Sequence, residues 1–150
     1  MLKPGDQAPE LTGLTDADIS VSLASLRGQK IILYFYPKDN SPGCTQEACA
    51  FRDYFRDFEG RGVVIIGVSP DNSTSHDKFK TKFDLPFSLL SDSNHEVAEA
   101  YGVWKEKSMY GRKFKGIERS TFVIDQKGKI ESVYHKVKIN GHAEELLGTL

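Results

Sequence analysis

The sequence predicts an α/β fold in which helices flank a central mixed β-sheet. Continuous apolar runs, typical of buried strands, alternate along the chain with segments whose apolar residues recur at helical spacing. The chain has 150 residues, the length of one ordinary domain, and its 39% hydrophobic and 27% charged residues are typical of a globular protein. We therefore expect residues 1–150 to form a single domain.

The first half of the chain predicts an N-terminal β-hairpin, two buried strands and the helix that connects them. Residues 14–29 are mostly polar and lead into a turn at Gly28, as expected of a short hairpin. Residues 30–38 and 63–71 are continuous apolar runs, as expected of strands buried on both faces. The helix is predicted over 44–62, where these apolar residues recur every three or four positions: Ala48, Phe51, Tyr54, Phe55 and Phe58.

The second half of the chain adds three helices, a strand and a second hairpin. The first of these helices is predicted over 74–83, and a capping box between Thr74 and Asp77 is expected to start it. The remaining elements are a strand at 86–92, a helix at 94–103, a charged loop at 104–116, a hairpin at 119–137 that turns at 126–128, and a helix at 139–150 capped by Asn140 or Gly141.

This order of elements is the thioredoxin arrangement, a βαβ unit followed by a ββα unit. Because crossover connections are right-handed, the strands at 30–38 and 63–69 are expected to be parallel neighbours. Open α/β sheets bind their ligands at the carboxyl ends of the strands. The sequence therefore places the candidate site in the loop at 37–44, which leaves the first central strand.

The charge balance and the cysteine count restrict the possible classes of function. Lys and Arg number 20 and Asp and Glu number 21, whereas a nucleic-acid-binding protein usually shows a basic excess. The longest apolar run, at 31–36, is too short to span a bilayer, and the first residues show no signal peptide. We expect a cytoplasmic protein with no nucleic-acid or membrane partner. In that compartment a close cysteine pair is more often catalytic, redox-active or metal-binding than structural.

The start of the helix that follows the loop suits a reactive cysteine. Thiols react as thiolates, and a free cysteine with a pKa of about 8.5 is mostly protonated at neutral pH. Cys44 lies in the first turn, where unpaired N–H groups and the positive end of the helix dipole stabilise an anion. Ser41 can cap this helix, and Pro42 suits an early helical position. Position alone favours a nucleophile and a small core residue about equally.

Several motifs around Cys44 occur together over nearly the whole chain. Pro37, Ser41 and Cys44 match the pattern P-x-x-x-T/S-x-x-C, and Arg119 precedes the strand TFVID. Four further segments belong to the same set of motifs: PGDQAPEL, IIGVSPD, SLLSD and YGVWKEKSMYG. This combination resembles the peroxiredoxins, thiol peroxidases with a thioredoxin fold. The string FYPKDNSPGCTQEACAFRD resembles in particular the subgroup called PrxQ or bacterioferritin comigratory protein.

The resemblance implies a role for each residue that matches the motifs. It implies that Cys44 is the peroxidatic nucleophile, which attacks a peroxide as a thiolate and becomes a sulfenic acid. It implies that Arg119 stabilises the thiolate and holds the peroxide, that the Ser41 hydroxyl hydrogen-bonds to both, and that Pro37 shields the site from water. Glu47 matches a glutamate that orients the arginine, although a glutamate early in a helix is also simply compatible with the helix dipole. No cofactor is implied.

The second cysteine, Cys49, could be an inert thiol, a metal ligand or a resolving cysteine. Metal binding is not favoured, because only two cysteines are present and the histidines lack ligand spacing. The resemblance implies the resolving role and a Cys44–Cys49 disulfide in the oxidised state, since many members of the subgroup have a second cysteine five residues after the first. No metal site is expected, and we place all four histidines on the surface or in loops: His76, His95, His135 and His142.

The spacing of the two cysteines implies a conformational step if they form a disulfide. Five residues of ideal helix separate two Cα atoms by roughly 8 to 9 Å, whereas a disulfide requires about 4.4 to 6.8 Å. We expect the segment from about Pro42 to Phe51 to unwind after oxidation, because a helix end can open locally at low cost. Phe51, Tyr54 and Phe55 are expected to anchor the rest of the helix to the sheet.

The expected partners are hydrogen peroxide, organic hydroperoxides and thioredoxin or a similar dithiol reductant, and the protein is expected to be a monomer. A thiol–disulfide oxidoreductase is the first alternative, but such enzymes typically use C-x-x-C rather than the C-x-x-x-x-C found here. A non-catalytic binding module is the second alternative, but it does not explain why the motif residues occur together. Trp104, Met109 and Tyr110 are expected to pack within their loop rather than line a substrate site.

Overall fold

A computed structural model describes all 150 residues. The fold is built on a seven-stranded mixed sheet in the order β2-β1-β5-β4-β3-β8-β9, and a separate two-stranded sheet consists of β6 and β7. The strands are β1 (Thr12–Thr15), β2 (Ser20–Ser22), β3 (Lys30–Phe35), β4 (Val63–Ser69), β5 (Ser88–Ser91), β6 (Trp104–Met109), β7 (Arg112–Ile117), β8 (Ser120–Ile124) and β9 (Ile130–Tyr134); the helices are α1 (Pro42–Asp53), α2 (Phe55–Gly60), α3 (Ser73–Phe83), α4 (Glu96–Ala100) and α5 (His142–Thr149).

The central strand β3 is buried on both faces, as its continuous apolar run predicts. Ile31, Leu33 and Phe35 pack into the core on one side of the sheet, and Ile32 and Tyr34 pack into the core on the other, against α1. β3 pairs parallel to β4 and antiparallel to β8. The predicted parallel neighbours are therefore confirmed, and so is the mixed sheet with helices on both sides.

The charged segment 104–116, predicted to be a loop, is instead a β-hairpin of strands β6 and β7. The two residues at its turn, Tyr110 and Gly111, both have positive φ angles (52° and 77°), as a type I′ turn requires. Trp104 packs, although not within its own segment: it stacks on His95 at 3.8 Å between ring centroids. Met109 and Tyr110 do not pack: they are 56% and 97% exposed.

The helices predicted at 94–103 and 139–150 are shorter in the structure, and the two earlier helices also differ from the prediction. The helix predicted over 44–62 begins at Pro42 and divides at Tyr54 into α1 and α2. α3 is capped by Asn72, whose side chain accepts a hydrogen bond from the Ser75 N–H at 2.9 Å, so the capping box from Thr74 to Asp77 was wrong. None of the helices is long and apolar enough to cross a membrane.

Candidate active site

The topology of the sheet brings three distant segments together at one edge. β3 ends at Phe35, and the loop that follows leads into α1. Because β8 runs antiparallel to β3 and Ser120 pairs with Phe35, the residue before β8, Arg119, lies beside the end of β3. The backbone carbonyl of Arg119 accepts a hydrogen bond from the Val137 N–H at 3.0 Å, which fixes this position. The first turn of α1 and Arg119 therefore face each other.

Cys44, Arg119 and Glu47 form a hydrogen-bonded group at this edge. The Nη2 of Arg119 donates to the Cys44 Sγ at 3.3 Å, and its Nη1 donates to the Glu47 Oε1 at 2.7 Å. Cys44 is 1% exposed, and the side chains of Glu47 and Arg119 are 2% and 17% exposed. Because the two donors of one planar guanidinium are engaged in different directions, the plane of Arg119 is fixed relative to the sulfur.

A glycine permits this close approach of the arginine to the sulfur. A Cβ atom added to Gly43 would lie 3.3 Å from the Arg119 Nη2 and 3.3 Å from the Ile139 Cδ1. A side chain at this position would therefore press directly on the guanidinium group. This packing, rather than its backbone angles, therefore favours a glycine before Cys44.

Burial sets the charge state of Glu47. It raises the pKa of this carboxyl from 4.5 to about 7, although the charge of Arg119 and the hydrogen bond from it act in the opposite direction. Its second oxygen, Oε2, is buried without a hydrogen-bond partner. Burial also lowers the pKa of Arg119, but the attraction of Glu47 and Cys44 outweighs it and raises that pKa overall. The guanidinium therefore stays charged beside the sulfur.

The other residues singled out from the sequence lie at or near this group. Ser41 directly precedes α1, but its side chain makes no capping bond; the hydroxyl donates instead to the Lys38 carbonyl oxygen at 3.0 Å. Pro37 is half-buried at the start of the loop. Cys49 is half-buried on the same unbroken helix as Cys44, and both thiols are free.

The placement of the histidines on the surface or in loops was wrong for two of them. His76 lies in α3 and is 0% exposed, and His142, in α5, is 5% exposed. His76 precedes Phe79 by three residues and Phe83 by seven, so the helical spacing places it on the apolar face of α3. This pattern in the sequence indicates that His76 is buried. Arg52 on α1 donates to the Phe83 carbonyl oxygen at 2.8 Å and so joins α1 to the end of α3.

The hairpin of β6 and β7 reaches the same edge of the sheet, which the sequence did not indicate. Lys107 in β6 is half-buried and crosses over Gly116, where an added Cβ would lie 3.4 Å from its Cδ. Burial lowers the pKa of Lys107, and the nearby charge of Arg119 lowers it further. A second cation therefore lies close to Arg119.

A buried thiol at a helix start, hydrogen-bonded by an arginine on a thioredoxin-type sheet, defines a protein for thiol redox chemistry. The AhpC/TSA family model matches residues 4–133. Peroxiredoxin Bcp of Bacillus subtilis is 50% identical over 97% of this chain and 93% of its own, and Peroxiredoxin Bcp of Escherichia coli is 43% identical over 99% and 96%.

Solved structures agree with these sequence relatives. The bacterioferritin comigratory protein of Xanthomonas campestris aligns with a TM-score of 0.91 at 36% identity, over 99% of this chain and 95% of its own. A variant of PrxQ from Xylella fastidiosa aligns with a TM-score of 0.94 at 37% identity, over 99% and 95%. The chain belongs to the AhpC/TSA family and, within it, to the Bcp/PrxQ peroxiredoxins. The resemblance and the thioredoxin fold predicted from the sequence are thereby confirmed, as is a peroxidase activity in general terms.

The raised pKa of Glu47 predicts a pH-dependent effect of the Glu47→Gln substitution on stability. Between pH 4.5 and about 7 the folded state keeps a proton that the unfolded state has released, so the folded state loses stability as pH rises through this window. The glutamine of the variant has no such proton to lose. The free energy of unfolding of the variant, relative to the wild type, should therefore increase from pH 4.5 to pH 8 by on the order of 3 kcal/mol.

Urea unfolding of both proteins across this pH range measures the difference. Glu59→Gln is the matched control, because Glu59 is exposed on the adjacent helix α2. Its stability relative to the wild type should not change with pH. A difference for Glu47→Gln that is constant from pH 4.5 to pH 8 would contradict a raised pKa in the folded state.

Proposed function

We propose that this protein reduces hydrogen peroxide and organic hydroperoxides through Cys44. The thiolate attacks the distal peroxide oxygen, the O–O bond breaks, and the leaving oxygen takes up a proton to become water or an alcohol, while Cys44 becomes a sulfenic acid. The hydrogen bond from Arg119 to the Cys44 Sγ is the observation that carries this proposal, because it directs a fixed cation at the nucleophile. The related Xanthomonas campestris protein is described with alkyl peroxide reduction activity.

Three further residues have positioning roles in this proposal. Ser41 donates its hydroxyl hydrogen to Lys38, so the lone pairs of its oxygen are left to accept a hydrogen bond from the peroxide O–H. Pro37 closes the loop side of the site against water. Glu47 holds the guanidinium of Arg119 through the bond at 2.7 Å.

Cys49 resolves the oxidised Cys44 in the second step. Its thiol attacks the sulfenic sulfur, a Cys44–Cys49 disulfide forms and water is released. Both cysteines lie on the unbroken helix α1, at a spacing that an intact helix holds too far apart for a disulfide. The start of α1 must therefore unwind, while Phe51, which is 0% exposed in the core, retains the rest. A dithiol reductant, thioredoxin in the simplest case, then reduces the disulfide and is itself oxidised.

We place the working enzyme in the cytoplasm as a monomer. Apart from Met1, its exposed large apolar side chains lie on separate hairpins: Leu14 and Ile19 on the N-terminal one, and Met109, Tyr110 and Phe114 on β6–β7. No single apolar face thus suggests a second copy. Light scattering during size-exclusion chromatography should give a mass near 16.8 kDa in both redox states.

A coupled assay with NADPH, thioredoxin reductase and thioredoxin tests the proposed function. Oxidation of NADPH should depend on both the protein and the peroxide, with hydrogen peroxide and with cumene hydroperoxide. Protein whose cysteines have been blocked with N-ethylmaleimide is the control and should be inactive. Reduction of a disulfide substrate without any peroxide-dependent turnover would instead favour a thiol–disulfide oxidoreductase.

Replacing Arg119 by methionine should slow the oxidation of Cys44 by hydrogen peroxide by on the order of 10² to 10³-fold, because a preorganised charged donor is lost from the reacting sulfur. The same change removes the charge and the hydrogen bond that lower the pKa of Glu47, so this buried carboxyl takes up a proton and loses its partner, which is itself destabilising. Stopped-flow kinetics measure the rate, and urea unfolding measures the stability.

The double variant Arg119→Met with Glu47→Gln separates the two effects. It should regain stability above pH 7, because a glutamine needs no proton to stay neutral in the buried site, but it should stay as slow as Arg119→Met. Recovery of the oxidation rate in the double variant would show that Arg119 acts only by neutralising Glu47.

A further inference from the structure

A second buried polar group lies behind the loop that leads to Cys44, and the steps proposed for Cys44 and Cys49 do not use it. At its centre is the carboxylate of Asp39, whose side chain is 4% exposed. Its Oδ1 accepts the Tyr36 hydroxyl at 2.6 Å, and its Oδ2 accepts the Ser75 hydroxyl at 2.8 Å. The Nδ1 of His76 lies 2.7 Å from the same Oδ2. Both carboxylate oxygens are therefore engaged inside the protein.

The hydrogen bonds of His76 define where its protons lie. Its Nε2 is 3.1 Å from the carbonyl oxygen of Leu90, which can only accept, so Nε2 carries a hydrogen. The short contact between Nδ1 and the Asp39 carboxylate requires another proton between those two atoms. Neither ring nitrogen therefore has a free lone pair with which to bind a metal ion. The side-chain nitrogen and oxygen atoms of Asp39, Asp71 and His76 lie within 4.8 Å of one another, and hydrogen bonding accounts for this clustering.

This group ties the loop to three separate parts of the fold. His76 and Ser75 belong to α3, and Leu90 belongs to β5. The backbone N–H of Asp39 donates to the Oδ2 of Asp71, in the turn after β4, at 2.8 Å. The middle of the loop is therefore held through both its backbone and its side chain.

The loop needs such support because its conformation is uncommon. Asn40, directly after Asp39, has a φ of 61°, in the left-handed region, which is uncommon for non-glycine residues although asparagine adopts it more readily than most. Conformations of this kind persist where the surrounding structure fixes them, and they are frequent at active sites. Ser41 follows directly, and its hydroxyl bonds to the carbonyl oxygen of Lys38, on the other side of Asp39. The position of that hydroxyl thus depends on the loop that Asp39 holds.

We propose that Asp39 and His76 are positioning residues for the peroxidase reaction: as a buried hydrogen-bonded pair they hold the loop at 37–41 so that the Ser41 hydroxyl meets the peroxide. The inference rests on the proposed function of Cys44. The pair touches neither the thiol nor the peroxide, and it acts through Ser41. Its loss should therefore slow the reaction with peroxide without making the sulfur less reactive in general.

The test compares two reactions of Cys44 in Asp39→Asn and His76→Gln. Stopped-flow mixing gives the rate constant for oxidation by hydrogen peroxide, and mass spectrometry at the same pH gives the rate of alkylation by iodoacetamide. Oxidation should slow by about 10- to 100-fold, because small misplacements of a positioning group cost this much. Alkylation needs the thiolate but not Ser41, so it should change by less than about twofold.

A double-mutant cycle with Ser41→Ala tests whether Asp39 acts on the oxidation rate through Ser41. If Asp39 acts through Ser41, then Asp39→Asn should slow oxidation much less in the Ser41→Ala background than in the wild type. Fully additive losses would overturn the proposal. A wild-type protein without peroxidase activity would instead overturn the proposed function, so the two failures are distinguishable.

Asp16→Asn is the matched control, because the Asp16 side chain is also largely buried, at 8% exposed. It likewise joins α3 and β5: it accepts hydrogen bonds from the Lys80 ammonium at 3.1 Å and from the Leu89 N–H at 3.2 Å. The variant should lose stability but leave the oxidation rate unchanged. Ser75→Ala, which removes one hydrogen bond from Asp39, gives a milder test if the other variants fold poorly, with a smaller loss in the same direction expected. Equal slowing by Asp16→Asn, or equal slowing of oxidation and alkylation by Asp39→Asn, would overturn the proposal.

Discussion

Replacing Cys44 by serine is expected to reduce peroxidase turnover by on the order of 10⁴-fold or more, to the background of the assay. The serine hydroxyl is a weak nucleophile at neutral pH, and no neighbouring base activates it: the nearest donor, Arg119, supplies a hydrogen bond and a positive charge. Because serine is nearly isosteric with cysteine and Cys44 is 1% exposed in a packed site, the fold should be retained. The coupled NADPH assay measures the turnover, and circular dichroism checks the fold.

Mass spectrometry of the same variant distinguishes the two cysteines. If Cys44 is the residue that peroxide oxidises first, stoichiometric peroxide should leave Cys49 of the Cys44→Ser variant unmodified on the time scale in which the wild type is fully oxidised. Rapid gain of one oxygen at Cys49 in this variant would reverse the assigned roles.

The order and pairing of the central elements could be predicted because they depend on strong local patterns. Buried strands such as β3 are continuous apolar runs, and the strand–helix–strand order then predicts that β4 is a parallel neighbour of β3, joined to it by a right-handed crossover. The hairpin of β6 and β7 had no comparable signal. Its strands, WKEKSM and RKFKGI, are rich in charged residues, and a tyrosine occupies the first left-handed position of its turn, where asparagine or glycine is usual.

The residues of the candidate site likewise include some that could be predicted from the sequence and others that could not. Cys44, Ser41 and Glu47 are close in sequence, and Arg119 could be added only because the motifs as a set resemble a known family. The sequence gives no pairing signal between Asp39 and His76, which are 37 residues apart and meet through the packing of α3 on the sheet. The spacing of His76 to Phe79 and Phe83 could have indicated that the histidine is buried, but nothing in the sequence indicated that Asp39 is buried beside it, and so this pair required the structure.

Replacing Cys49 by serine should leave the first oxidation of Cys44 unchanged but reduce turnover with thioredoxin by on the order of 10²-fold or more. The resolving thiol is part of the same helix as Cys44, and its loss replaces an intramolecular attack on the sulfenic acid by a bimolecular one. Cys49 makes no hydrogen bond to Arg119 or Glu47, whose partners are Cys44 and each other. Stopped-flow oxidation and the coupled assay measure the two steps separately, with Ala50→Ser, also half-buried on α1, as the matched control.

The same variant tests the unwinding of α1. In the wild type, one equivalent of peroxide should speed amide hydrogen exchange from about residue 42 to residue 51, because the disulfide cannot form on an intact helix. Exchange should stay slow beyond that point, where Phe51 packs on Tyr34 at 4.7 Å between ring centroids. Oxidised Cys49→Ser should keep the slow exchange of the reduced helix and accumulate the sulfinic acid with further peroxide. A wild-type sulfenic acid that persists beside a free Cys49 would exclude the resolving role, because the helix would then have no reason to open.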